Sequence, residues 1–140
     1  DHAVTVPRGG GPGYPQGRRL LYAWTKPIVV LCDQHSFSNA EIFSWAVKAT
    51  GRGLVVGQRT HGGVISTGGT HLGDGSWLRL PFRGWYSRLD SRDREGLGGS
   101  NLEGTGCPPD IVIENHPDDL LRGVDLQLDR ALQEALRLAP

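Results

Sequence analysis

The sequence predicts an α/β fold, and three observations carry that reading. Residues Pro27 to Phe43 read as a buried-type strand that breaks at polar residues and resumes as a helix, residues 64–82 carry two strand-like runs around a glycine turn, and the C-terminal residues have one apolar helical face. The first observation is the most informative, because it puts Ser38 at the turn between strand and helix.

In chain order, the sequence opens with a Gly/Pro-rich stretch, Gly9 to Gly17, and residues 1–26 are expected to form a lead-in that contributes little to a core. Gly9-Gly10-Gly11 reads as a loop, and the first ordered element is expected near Arg19 or Leu20. Ile28-Val29-Val30-Leu31-Cys32 is apolar, β-branched and bounded by Pro27 and Asp33-Gln34-His35, which is the composition of a strand. Ile42, Phe43, Trp45, Ala46 and Ala49 recur at helical spacing, and Gly51 and Gly53 end that helix.

Val64 to Thr67 and Ser76 to Phe82 have strand composition, with Gly73-Asp74-Gly75 as the turn between them. The second strand places Trp77 and Arg79 on one face and Leu78 and Leu80 on the other. Residues 84–106 read as a long loop, a feature that is often functional inside a compact domain. At the end, Asp125 is positioned to cap a helix whose Leu128, Ala131, Leu132, Ala135 and Leu136 form one apolar stripe, with core packing as its simplest fate.

Ser38 has two readings on pattern alone. A serine at a helix N-terminus lies beside unpaired backbone N–H groups and the positive end of the helix dipole, which together can stabilise an oxyanion. Ser38 with Glu41 three residues on also fits a capping box, in which the serine satisfies a free N–H and the glutamate reaches back. Capping serines are the commoner class, so the pattern requires outside support to mean catalysis.

Composition excludes several functions. Fifteen Lys and Arg balance fifteen Asp and Glu, and Arg83, Arg88, Arg92 and Arg94 are interleaved with Asp90, Asp93 and Glu95, so no nucleic-acid partner is expected. No apolar run approaches the roughly 20 residues of a membrane-spanning helix, and no signal peptide is visible. The two cysteines, Cys32 in a strand and Cys107 before two prolines, have no metal-ligand spacing, and neither a buried thiol nor a disulfide is excluded. No Gly-x-x-x-x-Gly-Lys-Ser/Thr is present, so Gly62-Gly63 and Gly98-Gly99 read as turns and no cofactor or metal is expected.

The stretch from Pro27 onward resembles the S41 serine peptidases of the C-terminal processing protease family, above all their tricorn protease branch. The resemblance rests on an ordered set: Ile28 to Asp33, Ser36-Phe37-Ser38-Asn39-Ala40-Glu41-Ile42-Phe43, Gly53 to Val64, Asp74-Gly75-Ser76, Glu103-Gly104, Pro108 to Ile113, and Gly123 to Leu132. It implies a ClpP/crotonase-like α/β fold, here a fragment with a strand-turn-helix nucleophile elbow, in which residues 27–140 are the C-terminal half of the peptidase domain. It further implies Ser38 as nucleophile, the Asn39 N–H as half of the oxyanion hole, and Glu103 as a member of the catalytic tetrad. Tricorn-type enzymes carry aspartate where this chain has Asn39, a departure that leaves the backbone donor intact. Without the resemblance Glu103 is a solvated surface charge.

Processing proteases use a lysine at the position of Gly63, and the two lysines here, Lys26 and Lys48, lie elsewhere, so a Ser-Lys dyad is not expected. The tricorn branch uses a histidine well upstream of the nucleophile, as it does the glycine turn giving the second oxyanion donor. Gly9-Gly10-Gly11 lies too near the Ser38 strand to be that turn. His61, beside Gly62 and Gly63 at the possible cleft, is either a substitute base or a solvated loop histidine, and His35 also borders the turn. The implied partners are a peptide or unfolded polypeptide substrate and further copies of the chain in a homo-oligomer, with a cytoplasmic location and no membrane. The alternative is a non-catalytic binding or scaffold module of the same fold. As an isolated 140-residue chain the protein is expected to be inactive; peptide hydrolysis by the chain alone, abolished by Ser38→Ala, would contradict that expectation.

Overall fold

The strand-to-helix turn is realised as a βαβ unit in the computed structural model, which describes residues 1–17, 24–87 and 101–139. The elements in order are β1 (Ala3–Pro7), β2 (Tyr14–Gln16), β3 (Val29–Cys32), α1 (Asn39–Ala49), β4 (Leu54–Gly57), β5 (Ile65–His71), β6 (Trp77–Ser87), β7 (Ile111–Val112), α2 (Pro117–Leu121) and α3 (Leu126–Leu138). Among the described residues they build a parallel sheet of order β3-β4-β7 and an antiparallel sheet of order β2-β1-β6-β5.

Parallel strands need a crossover, and α1 supplies it between β3 and β4. The register pairs Val30 with Val55 and Cys32 with Gly57, so both strands end at the same edge of the sheet. The turn leaving β3 and the loop leaving β4 therefore meet there, at the carboxyl ends of the strands where open α/β sheets place their ligands.

Two apolar clusters hold α1 in place. Val47 packs with Cys32 and Val55 against the parallel sheet, while Trp45 packs with Val64, Leu102 and Cys107, which belong to the connecting loops. One helix thus fixes the sheet and the loops to each other. Lys48 adds an ion pair to Asp110 at 3.0 Å and donates to the Pro108 carbonyl at 2.8 Å, and Asp110 accepts the Val55 N–H at 2.9 Å. Lys48 is therefore a structural cation that ties the entry of β7 to α1, and Asp110 carries the link on to β4.

Several sequence expectations are corrected. The lead-in contains β1 and β2, and Ala3, Val4 and Thr5 are buried, because β1 finds a partner far away in sequence by pairing with the second half of β6. Gly9 to Gly11 lie in the connection between β1 and β2. The expected loop at 84–106 starts later, since β6 runs through Ser87 and Tyr86 bridges to Asn101; Arg88, Arg92 and Arg94 lie outside the described residues. Both strands of the β5–β6 hairpin are longer than their composition suggests, with the turn at 72–76 as expected.

The stripe on α3 is not core throughout. Ala131 and Glu134 are buried and α3 packs on β3 and β4, but Leu132 and Leu136 are 53% and 75% exposed. Small Ala131 lets the helix approach the sheet closely, and the leucines flanking that contact project past it. Glu134 is held by Arg130 at 3.0 Å and Arg137 at 2.8 Å. Cys32 and Cys107 are free buried thiols in separate clusters, and burial pushes their pKa values up to about 11 and about 12.

The cap of α3 forms as the sequence predicts. The Asp125 carboxylate accepts the Leu128 N–H at 2.9 Å and the Asn115 amide at 2.8 Å, and these bonds lower its pKa below the usual aspartate value. A lowered folded-state pKa contributes stability above the unfolded pKa and loses it as pH falls through the folded value. Asp125→Ala is expected to cost about 1 kcal/mol at neutral pH, with the difference shrinking in acid. Unfolding curves across pH that showed a constant difference would contradict the cap.

Candidate functional site

Ser38 immediately precedes α1 with φ 57° and ψ −115°, and it has the one positive φ among the described non-glycine residues. Such a conformation costs of order 1–3 kcal/mol and persists only where surrounding contacts over-determine it. Here the contacts are visible. The Ser38 N–H donates to Glu41 Oε1 at 3.1 Å, while its carbonyl accepts the N–H groups of Glu41 at 3.0 Å and Ile42 at 3.1 Å. The backbone is held from both sides of the residue. The turn before it is closed by Asp33, whose Oδ1 accepts from the N–H groups of His35 and Ser36 and from the Ser36 hydroxyl at 2.9–3.1 Å.

The Asn39 N–H has no partner among the described residues. The capping box that the sequence suggests is formed on both sides, with the Ser38 side chain at the Glu41 N–H and Glu41 accepting the Ser38 N–H, and the free Asn39 N–H lies beside it. Ser38 and Asn39 line a cavity of about 310 Å³ whose opposite wall is the β5–β6 hairpin.

Glu41 is the residue whose role the sequence did not disclose. It is 0% exposed, and besides Ser38 its carboxylate accepts the Thr60 hydroxyl at 2.5 Å, the Gly62 N–H at 2.6 Å and the Gly63 N–H at 2.8 Å. Thr60 Oγ1 in turn accepts the Cys107 N–H at 2.7 Å. One side chain thereby joins the serine turn to the loop after β4, and that loop to the segment before β7. The available sequence signal was the pairing of a glutamate in the first helical turn with a Thr-x-Gly-Gly loop.

That loop fixes the other candidates. Gly62 is buried at φ 91° against Gly104, Thr105 and Gly106, and its carbonyl accepts the Gly104 N–H at 2.7 Å. Glu103 therefore sits one loop behind the serine turn, exposed, with its N–H on Asn101 at 3.1 Å and no bond from its carboxylate to Ser38 among the described residues. His61 is exposed, its N–H donates to the Ser36 carbonyl at 3.1 Å, and its ring meets Phe37 edge-on at 5.1 Å. No hydrogen bond links His61 or His35 to Ser38 among the described residues; His35 contacts Gln34. At Gly63 a Cβ would collide with the Phe37 ring, so Phe37 occupies the space a side chain there would need.

Comparison with known proteins agrees with this geometry. The family model for Peptidase family S41 matches residues 3–113. Tricorn protease homolog 1 of Streptomyces coelicolor is 36% identical over 133 residues, covering 94% of this chain and 11% of that protein. The crystal structure of the tricorn protease superposes with a TM-score of 0.62 at 32% identity, covering 80% of this chain and 10% of that one. Mature CPAF complexed with lactacystin gives a TM-score of 0.69 at 23% identity over 86% of this chain and 22% of that chain, a likeness of fold. The chain spans about a tenth of the length of the curated tricorn relatives it matches.

Removing the Glu41 carboxylate leaves Thr60, Gly62 and Gly63 as buried donors without an acceptor. Glu41→Ala is expected to cost about 3 kcal/mol or more. In a double-mutant cycle with Thr60→Val, the two losses are expected to add to less than their sum. Denaturant unfolding that found a loss under about 1 kcal/mol, or simple additivity, would remove Glu41 from this role.

Proposed function

Because the chain belongs to peptidase family S41, in its tricorn-like branch, we propose that it supplies the nucleophile half of a serine peptidase active site. The observation that carries the reading is the Ser38 backbone, held at positive φ at the start of α1, with Ser38 and the free Asn39 N–H lining the same cavity. A sharp, strained strand-to-helix turn is how several unrelated hydrolases present a serine to substrate.

In the proposed reaction Ser38 Oγ attacks the carbonyl carbon of a peptide as a base takes its proton. The Asn39 N–H and a second donor hold the oxyanion, the amine leaves with the proton, and water releases the acyl group. Asparagine in place of the family's aspartate at 39 is compatible with this role, since only the backbone donates. Base and second donor are assigned to the upstream half of the domain, residues 27–140 being its C-terminal half, and Glu103 acts from the loop behind. Gly63 stands where the processing proteases carry lysine, and Lys48 is committed to Asp110 and the Pro108 carbonyl, which supports excluding a Ser-Lys dyad. The substrate is a peptide or unfolded polypeptide, and the exposed leucines of α3 are candidates for contact with further copies of the chain. Among the described residues no helix is long and apolar enough to cross a membrane.

The test uses the natural polypeptide that carries this chain, treated with a fluorophosphonate and analysed by mass. A single adduct on Ser38, absent in Ser38→Gly, is expected, and Ser38→Gly should also raise stability by about 1 kcal/mol by relieving the positive φ. A folded protein with no adduct, in which Ser38→Gly is neutral or destabilising, would establish the scaffold alternative.

A further inference from the structure

We infer that Arg79 makes the cavity in front of Ser38 a subsite for a carboxylate of the substrate. The inference rests on the peptidase reading above and adds the class of peptide that the site takes. Among the described residues, Arg79 is the one charged residue lining this cavity of about 310 Å³. It stands on β6 opposite Gly69 of β5, on the wall that faces the start of α1.

The side chain is oriented while its charge is uncommitted. Arg79 Nε donates to Thr67 Oγ1 at 2.5 Å, across the hairpin, and no carboxylate pairs with the guanidinium among the described residues. The terminal nitrogens are left to offer the planar fork that suits a carboxylate. The opposite wall offers one further donor, because the Asn39 N–H at the N-terminal end of α1 opens on the same cavity without a partner among the described residues. Ile42, Ile65 and Phe82 supply apolar surface between Arg79 and that donor. No acidic residue among the described residues of the lining competes for Arg79.

A carboxylate bound there lies within the same cavity as the attacking oxygen, hence close in the peptide to the bond that is cut. It can come from the C-terminus of a short peptide or from a Glu or Asp side chain, and one set of probes separates these sources. In the natural polypeptide carrying Ser38→Ala, which prevents turnover, binding is measured for acetyl-Ala-Ala-Phe as free acid and as carboxamide, and for the carboxamides of acetyl-Ala-Glu-Phe and acetyl-Ala-Gln-Phe.

The free acid, the Glu peptide or both should bind about 10–100-fold more tightly than the neutral counterpart. Arg79→Gln should abolish that preference while leaving the neutral peptides within about twofold, and Arg79→Lys should restore part of it. Equal binding of charged and neutral forms, equal weakening of both by Arg79→Gln, or no binding of any probe to the folded protein would overturn the subsite. The two readings fail separately: a fluorophosphonate adduct on Ser38 without carboxylate preference removes only the subsite, and preference without an adduct removes only the nucleophile.

Discussion

A buried carboxylate with four donors organises the site. Glu41 accepts from the Ser38 N–H, the Thr60 hydroxyl and the Gly62 and Gly63 N–H groups, so it links elements that share no strand pairing. Burying a charge is costly unless every lone pair is used, and here the donors come from two loops that a carboxylate alone can bring together. The conformation of Ser38 follows from this arrangement. Its amide is drawn toward Glu41 and its carbonyl is occupied by the first turn of α1, which leaves positive φ as the geometry that serves both.

The two sheets divide the work. The parallel sheet and α1 form the rigid support, with Val47, Cys32 and Val55 packed between them. The antiparallel sheet contributes the β5–β6 hairpin, which carries few buried side chains and forms the far wall of the Ser38 cavity. Trp45 and Val64, in contact in the second cluster, connect the helix to the root of that hairpin. A site placed between a well-packed helix and a lightly packed hairpin combines a fixed serine with a wall free to adapt, since regions with few buried contacts open most readily.

Beside the S41 match over residues 3–113, the described residues leave much apolar surface exposed. The chain corresponds to about a tenth of the tricorn relatives, and it carries an apolar groove of about 810 Å³ beside α1, lined by Trp24, Ile28, Phe43 and Val47 among others. Asn39 and Ile42 line both this groove and the Ser38 cavity, so whatever packs into the groove would press on the residues that present the serine.

The α/β class, the strand-turn-helix around Ser38, the hairpin centred on Gly73-Asp74-Gly75 and the Asp125 cap were all legible in the sequence, because each depends on residues close together in the chain. What local pattern could not show was long-range. β1 is a strand because β6 pairs with it, Leu132 and Leu136 are exposed because nothing among the described residues covers them, and Phe37 fills the space above Gly63 because two loops converge. Glu41 is the sharpest case: by sequence a capping residue for its own helix, by tertiary structure the acceptor shared between the serine turn and the loop after β4. The sequence by itself determined where the serine stands and what helix follows it. Only the tertiary structure decided how that serine is held, because the donors that fix Glu41 lie some twenty residues away and reach it only once β3 and β4 are paired.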